Sequence, residues 1–172
     1  MSVRMKTYSY FLFFSLFITS CLKQEFKKVE ILINNWEFRE QGQEWFPAIV
    51  PGSVHLDLYS NNLIDDPFYR ANENKLQWIE DKHWEYKAEF VLDQDFIDNK
   101  SIHLIFSGID TYADVYLNDS LIHKCDNFFV SYDIKLDSLL KVNNDLRFVF
   151  QPTVERVKLL QKKNTYDLPG EE

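Results

Sequence analysis

Four kinds of side chain in this 172-residue sequence have the chemistry for a site, and each has plainer work to do as well. His55 and Asp57 would make a general-base couple only if they faced each other. Two positions apart, on a short helix expected from Val54 to Tyr59, they project from different faces. His55 therefore reads as a structural hydrogen-bonder against the loop after Pro51. Asp110 and Asp114 flank Tyr112 but lack the dense oxygen-ligand spacing that calcium requires. Asp110 reads as the cap of a turn at a strand start, and Asp114 as an outward strand residue. Cys125 reads as a small buried hydrophobe rather than a nucleophile. No CxxC pair, His/Cys cluster or glycine-rich phosphate loop occurs, so neither a metal nor a cofactor is expected. Indoles stack on the apolar faces of sugars, which draws attention to Trp36, Trp45, Trp78 and Trp84. Trp84 alternates inward on a strand and reads as core. Trp78, in a segment leading from loop to strand, is the one of the four most open to a sugar, although core packing is the first reading for it too.

The elements that must hold these residues follow a period of two. From Trp84 to Leu92, Trp84, Tyr86, Ala88, Phe90 and Leu92 share one face and charged residues the other. Ile102, Leu104 and Phe106 form a second inward face with His103 outward, and Leu146, Phe148 and Phe150 a third after the turn-forming Asn143-Asn144-Asp145. Tyr112 to Leu117 and Leu121 to His123 flank Asn118-Asp119-Ser120, a hairpin signal. Phe128 to Tyr132 adds a short strand, and Ile31 to Ile33, Trp36 to Arg39 and Trp45 to Ile49 supply weaker ones. Helix is scarce: Ser53 is placed to cap the helix from Val54 to Tyr59 after the break at Pro51-Gly52, and Val154, Val157 and Leu160 space a second short helix up to Lys163. Many short strands separated by turns predict an all-β fold, an antiparallel jelly-roll β-sandwich. With 28 aromatics among 172 residues, the core of one such domain can be large.

The amino terminus stands apart. Arg4 and Lys6 precede an apolar run from Tyr8 to Ile18, too short for a bilayer-spanning helix of about 20 residues but suited to a secretory signal. Ile18-Thr19-Ser20-Cys21 resembles the lipobox of bacterial lipoproteins, in which the cysteine becomes the first mature residue and carries a diacylglycerol thioether. Residues 1–20 are thus expected to be a lipoprotein signal peptide, Cys21 the lipid anchor to a membrane, and 21–28 a solvated tether. The expected location is the bacterial cell envelope, facing the periplasm or the outer surface. Losing Arg4 and Lys6 would leave 17 basic against 27 acidic residues. That acidic balance repels phosphate backbones and excludes nucleic acid as a partner. Cys125 would be the one cysteine besides the anchor, so no intrachain disulfide is expected.

Several segments together resemble the β-mannosidases of glycoside hydrolase family 2. They are Ala48-Ile49-Val50-Pro51-Gly52-Ser53-Val54-His55-Leu56-Asp57-Leu58, then Ile64-Asp65-Asp66-Pro67-Phe68-Tyr69-Arg70 with Asn72-Glu73, then Gln77-Trp78-Ile79 with Trp84-Glu85-Tyr86. Phe106 to Ala113, Val115 to Asn118 and Asn127-Phe128-Phe129 follow in the family's order. The resemblance runs from about Trp36 to Gly170 and implies a galactose-binding-domain-like sandwich over residues 29–172.

The resemblance also implies what lies elsewhere. In that family a (β/α)₈ barrel carries the two glutamates for retaining hydrolysis of terminal β-D-mannosides, one protonating the leaving oxygen and one attacking the anomeric carbon. The sandwich is non-catalytic, and this chain is expected to be a fragment, truncated at its C-terminus and inactive alone. Asn72-Glu73 mimics the dipeptide around the family's acid/base, but it falls in a sandwich loop and not on a barrel strand. Asn72, Glu73 and Trp78 are instead candidates for the wall of the substrate pocket, and the partner of the intact enzyme would be a β-mannoside or mannan-derived oligosaccharide. The alternative is a stand-alone carbohydrate-binding surface lipoprotein.

Overall fold

A computed structural model describes residues 29–98, 101–136 and 138–162. Cys21 and the expected signal segment and tether lie outside the described residues. The chain divides into two units, Met1–Ile31 and Leu32–Glu172, and the fold below is that of the second.

Among the described residues eight strands, all paired antiparallel, make the framework: β1 (Glu37–Glu40), β2 (Phe46–Pro47), β3 (Trp84–Val91), β4 (His103–Phe106), β5 (Ala113–Leu117), β6 (Ser120–Cys125), β7 (Tyr132–Lys135) and β8 (Asn143–Phe150). Six of them form one sheet in the order β2-β1-β3-β8-β5-β6, and β4 pairs with β7 in a second. Among the described residues three helices accompany them: α1 (Val54–Ser60), α2 (Gln94–Asp98) and α3 (Thr153–Gln161). Two 3-10 turns, Asn72–Lys75 and Gln77–Asp81, lie between α1 and β3.

The period of two in β3 positions the core. Trp84, Tyr86 and Ala88 are buried, and they stand opposite Phe150, Phe148 and Leu146 of β8. On the other side of β8, Val115 and Leu117 of β5 face Phe148 and Leu146, and both are fully buried. Within the second sheet the Phe106 ring stacks on Tyr132 at 5.2 Å, and across the layers it meets Phe148 edge-on at 5.1 Å. The remaining inner face is covered by Leu58 of α1 with Leu76 and Ile79 of the 3-10 region, which share one core with Phe38, Trp84 and Tyr86. The Trp84 indole N–H donates to the Ile79 carbonyl at 2.9 Å, so the covering segment is tied to the sheet as well as packed on it. The sandwich is therefore asymmetric: a broad sheet against a layer that is half strand and half helical loop.

Several local expectations need correction. Glu85, on the charged face of β3, is buried, because Arg39 of β1 and Arg147 of β8 close over it from both sides. The strand expected at Phe128 to Tyr132 begins only at Tyr132. Asn127 Oδ1 accepts from the Phe129 N–H and the Tyr132 hydroxyl binds the N–H groups of Asp126 and Asn127, which holds this stretch as a loop. Residues 31–33 form no strand, and the pairing expected over Trp45 to Ile49 is confined to Phe46–Pro47. The hairpin at Asn118-Asp119 is present, with positive φ at both residues (50° and 64°), the backbone of a tight two-residue turn.

Candidate functional site

The segment from Ile49 to Lys82 is fixed by a small number of side chains. Ser53 caps α1, its hydroxyl accepting from the Leu56 N–H at 3.4 Å. Gly52 sits where a Cβ would come within 2.1 Å of the Ile49 carbonyl oxygen, so no other residue fits that turn unchanged. Asp57 points inward from the first turn of α1 and is buried. One of its carboxylate oxygens accepts from the Ile49 N–H at 2.9 Å and the other from the Tyr86 hydroxyl at 2.7 Å. Asn61 donates to the carbonyls of Pro47 and Asp57, at 2.9 and 2.8 Å. Burial holds the Tyr86 phenol protonated well above its ordinary range, and the hydrogen bond to Asp57 and that carboxylate's charge push the same way.

The far end of α1 closes with Asn62 at φ 57°, with the Asn62 N–H on the Tyr59 carbonyl and the Leu63 N–H on the Leu58 carbonyl, both at 2.9 Å. This pair of bonds satisfies the orphan carbonyls of the helix end and turns the chain sharply. Beyond it, Asp66 Oδ1 accepts from the Phe68 N–H and Asn72 Nδ2 donates to the Asp66 carbonyl, each at 2.9 Å. Arg70, also at positive φ, lays its guanidinium over the Tyr69 ring at 5.0 Å.

Two concavities result. The larger, an open groove of about 610 Å³, runs between the end of α1 and the first 3-10 turn, among Tyr59, Leu63, Asp65, Asn72, Lys75 and Leu76. The smaller, about 120 Å³, lies among His55, Pro67, Glu73, Gln77 and Glu80.

The three candidate wall residues lie in this region but not on one surface. Asn72 is half-buried and lines the larger groove, and Glu73 is exposed and lines the smaller. Trp78, 38% exposed, packs its ring 6.2 Å from Trp84 and lines neither. Successive residues of a 3-10 turn project about a third of a revolution apart, so neighbours in sequence serve different walls. His55 is not the hydrogen-bonder expected: it is exposed beside Glu73 and Glu80, and the bond to the loop before α1 comes from Asp57. The anchoring roles of Asp57 and Asn61 are not evident from the spacing of residues in α1. The available signal was Tyr86, whose inward position on β3 required a buried partner for its hydroxyl.

Asp110 is exposed and takes a hydrogen bond from the Thr111 hydroxyl, while Asp114 is half-buried and pairs with Lys124 at 3.3 Å. Among the described residues no three His, Cys, Asp or Glu side chains converge as a metal site. The carboxylates, amides and ammonium around the two concavities are the donors and acceptors that bind hydroxyl groups.

Comparison with known proteins places this geometry in a lineage. β-Mannosidase of Mus musculus is 36% identical over 126 residues, covering 73% of this chain and 14% of that protein. β-Mannosidase B of Emericella nidulans is 31% identical over 141 residues, covering 78% of this chain and 17% of that protein. The crystal structure of a β-D-mannosidase from Dictyoglomus thermophilum superposes with a TM-score of 0.77 at 37% identity, over 81% of this chain and 17% of that one. An exo-chitosanase of Amycolatopsis orientalis, at 19% identity and a TM-score of 0.61, shares the fold. The chain thus spans about one sixth of the length of these β-mannosidases. The profile described as glycosyl hydrolase 2 galactose-binding domain-like matches residues 36–172, nearly the whole sandwich and more than half the chain, and the chain belongs to that family.

Proposed function

We propose that this chain is the N-terminal, non-catalytic sandwich domain of a β-mannosidase that removes terminal β-D-mannosides from glycans. The observation that carries the reading is the likeness to β-mannosidases in sequence and in fold together, 37% identity at a TM-score of 0.77 over 81% of the chain. Two of the segments that carry the resemblance to β-mannosidases, Val50 to Leu58 and Asp66 to Glu73, are the ones that Asp57, Asn61 and Asn72 lock in place. On this reading the described residues shape and support a sugar site whose two catalytic carboxylates belong to another domain. Asn72, Glu73 and Trp78 serve as walls of that site. Residues 1–20 direct export, Cys21 carries the lipid, and the domain begins at residue 29 beyond the tether, which places the protein in a bacterial envelope.

The native polypeptide tests this directly. Antibody against the sandwich should recover from envelope membranes a polypeptide several times larger than 20.6 kDa that hydrolyses an aryl β-mannoside. The isolated 172-residue chain should show no such hydrolysis. Recovery of a 20-kDa species alone that binds glycan without cleaving it would replace this reading with that of a stand-alone carbohydrate-binding lipoprotein.

A further inference from the structure

We infer that the groove between the end of α1 and the first 3-10 turn binds an uncharged, hydroxyl-rich saccharide. Its volume of about 610 Å³ lies within the roughly 300–1,000 Å³ of small-molecule sites. Both walls are already built. On one side the paired bonds at Asn62 and Leu63 fix the chain reversal after α1. On the other, Asp66 and Asn72 spend their side chains on backbone partners and hold the loop between them. A preformed groove loses little freedom on binding.

The side chains left over are the ones a pyranose needs. Tyr59 is 45% exposed and offers a flat ring to the C–H face of a sugar. Buried Leu76 and half-exposed Leu63 extend that apolar strip. Asp65 has a carboxylate to accept from two neighbouring hydroxyls, the Asn62 amide donates, and Lys75, whose ammonium lies 3.5 Å from Asn72 Oδ1, has further N–H groups to donate. Two aspartates against one lysine leave the groove acidic, so uronates and phosphorylated sugars are disfavoured. The inference rests on the proposed mannosidase reading for its choice of sugar alone; the groove itself is read from its geometry.

Calorimetric titration of the full chain with a β-linked mannotriose tests it. Saturable binding is expected, weakened about fivefold or more by Tyr59→Ala and by Asp65→Asn, both exposed positions whose circular dichroism should be unchanged. Phe129→Ser, on a different loop, should bind as the parent does, and a glucuronate oligosaccharide should not bind. No saturable heat with mannotriose, or binding unmoved by both groove variants, overturns the inference. The two readings fail separately. Hydrolysis by the native polypeptide with an empty groove removes the groove alone, whereas groove binding without hydrolysis removes the mannosidase reading and keeps the groove.

Discussion

The Tyr86 hydroxyl donates 2.7 Å to Asp57, joining the central strand of the large sheet to the first turn of α1. Because the same carboxylate holds the Ile49 N–H, one buried side chain fixes a loop, a helix and a strand. Asp57→Ala would strand both donors inside the fold. Each buried unsatisfied group costs about 1–3 kcal/mol, so a loss of about 3 kcal/mol is expected from denaturant unfolding. Tyr86→Phe removes one donor to a charged acceptor and should cost about half as much. The pH dependence has a definite sign. The folded phenol keeps its proton above the ordinary value of 10.0, whereas the unfolded phenol loses it there. The unfolded chain then binds fewer protons, so this contribution is intact below pH 10 and declines as pH rises beyond it. Tyr86→Phe should flatten that alkaline decline, read as midpoint against pH.

A second expectation concerns Glu85, which Arg39 Nε meets at 2.5 Å and Arg147 at 3.1 Å. The carboxylate is buried, and Arg39 also lies over the Trp45 ring at 4.2 Å with Lys87 at 4.7 Å. Breaking a buried ionic network by removing its centre costs about 3–5 kcal/mol, because the partners remain. The arginines are a quarter exposed and can rehydrate, which sets the expectation for Glu85→Ala at the lower end, about 3 kcal/mol. Removing the more exposed Lys124–Asp114 pair should cost less than about 1 kcal/mol. Paired urea melts of the two variants measure the difference, and equal costs would contradict the network's importance.

These two centres mark the boundary of what the sequence could reveal. β3 and β8 were legible because alternation of apolar and charged residues is a local signal, and their inward residues are the core. Glu85 was not, since the arginines that bury it lie 46 and 62 positions away, and a period of two assigns every charge to solvent. Phe128-Phe129-Val130 had the composition of a strand, yet Asn127 Oδ1 takes the Phe129 N–H, and the Tyr132 hydroxyl holds the N–H groups of Asp126 and Asn127 just before it. The loop from Ile49 to Lys82 was recognisable by resemblance, but its 3-10 turns have no periodicity to show which wall each residue joins. Hence Asn72 and Glu73, adjacent in sequence, face different concavities, and Trp78 packs beside Trp84.

The β5–β6 turn offers a test in the stabilising direction. Asn118 and Asp119 both have positive φ, and Asn118 also spends its side chain on the Leu139 carbonyl, Asn144 Oδ1 and the Asp145 N–H. Asp119 is almost fully exposed, and its contact to Arg147 is long at 3.9 Å. Glycine at the second position of such a turn carries no penalty for positive φ, so Asp119→Gly should raise stability by up to about 1 kcal/mol. Asn118→Gly should lower it by about 1–2 kcal/mol, because the backbone gain is smaller than the three lost bonds. Thermal midpoints moving in opposite directions would establish that the two turn residues do different work.

The two cysteines give the last test, and it reaches the amino terminus. Cys125 is buried at the end of β6, and burial, aided by the charges of Asp126 and Asp114, pushes its thiol up to about 11 against a partial offset from Tyr132. The reactive species is the thiolate, so native Cys125 should resist a disulfide reagent at pH 8 and react promptly only in denaturant. A lipidated Cys21 has no free thiol, and protein from envelope membranes should then titrate one thiol per chain, all of it exposed by unfolding. Chain made without lipidation should titrate two, one of them immediately. A prompt thiol in the membrane-derived protein would remove the anchor from Cys21, and a prompt second thiol in the unlipidated chain would mean that β6 does not close over Cys125.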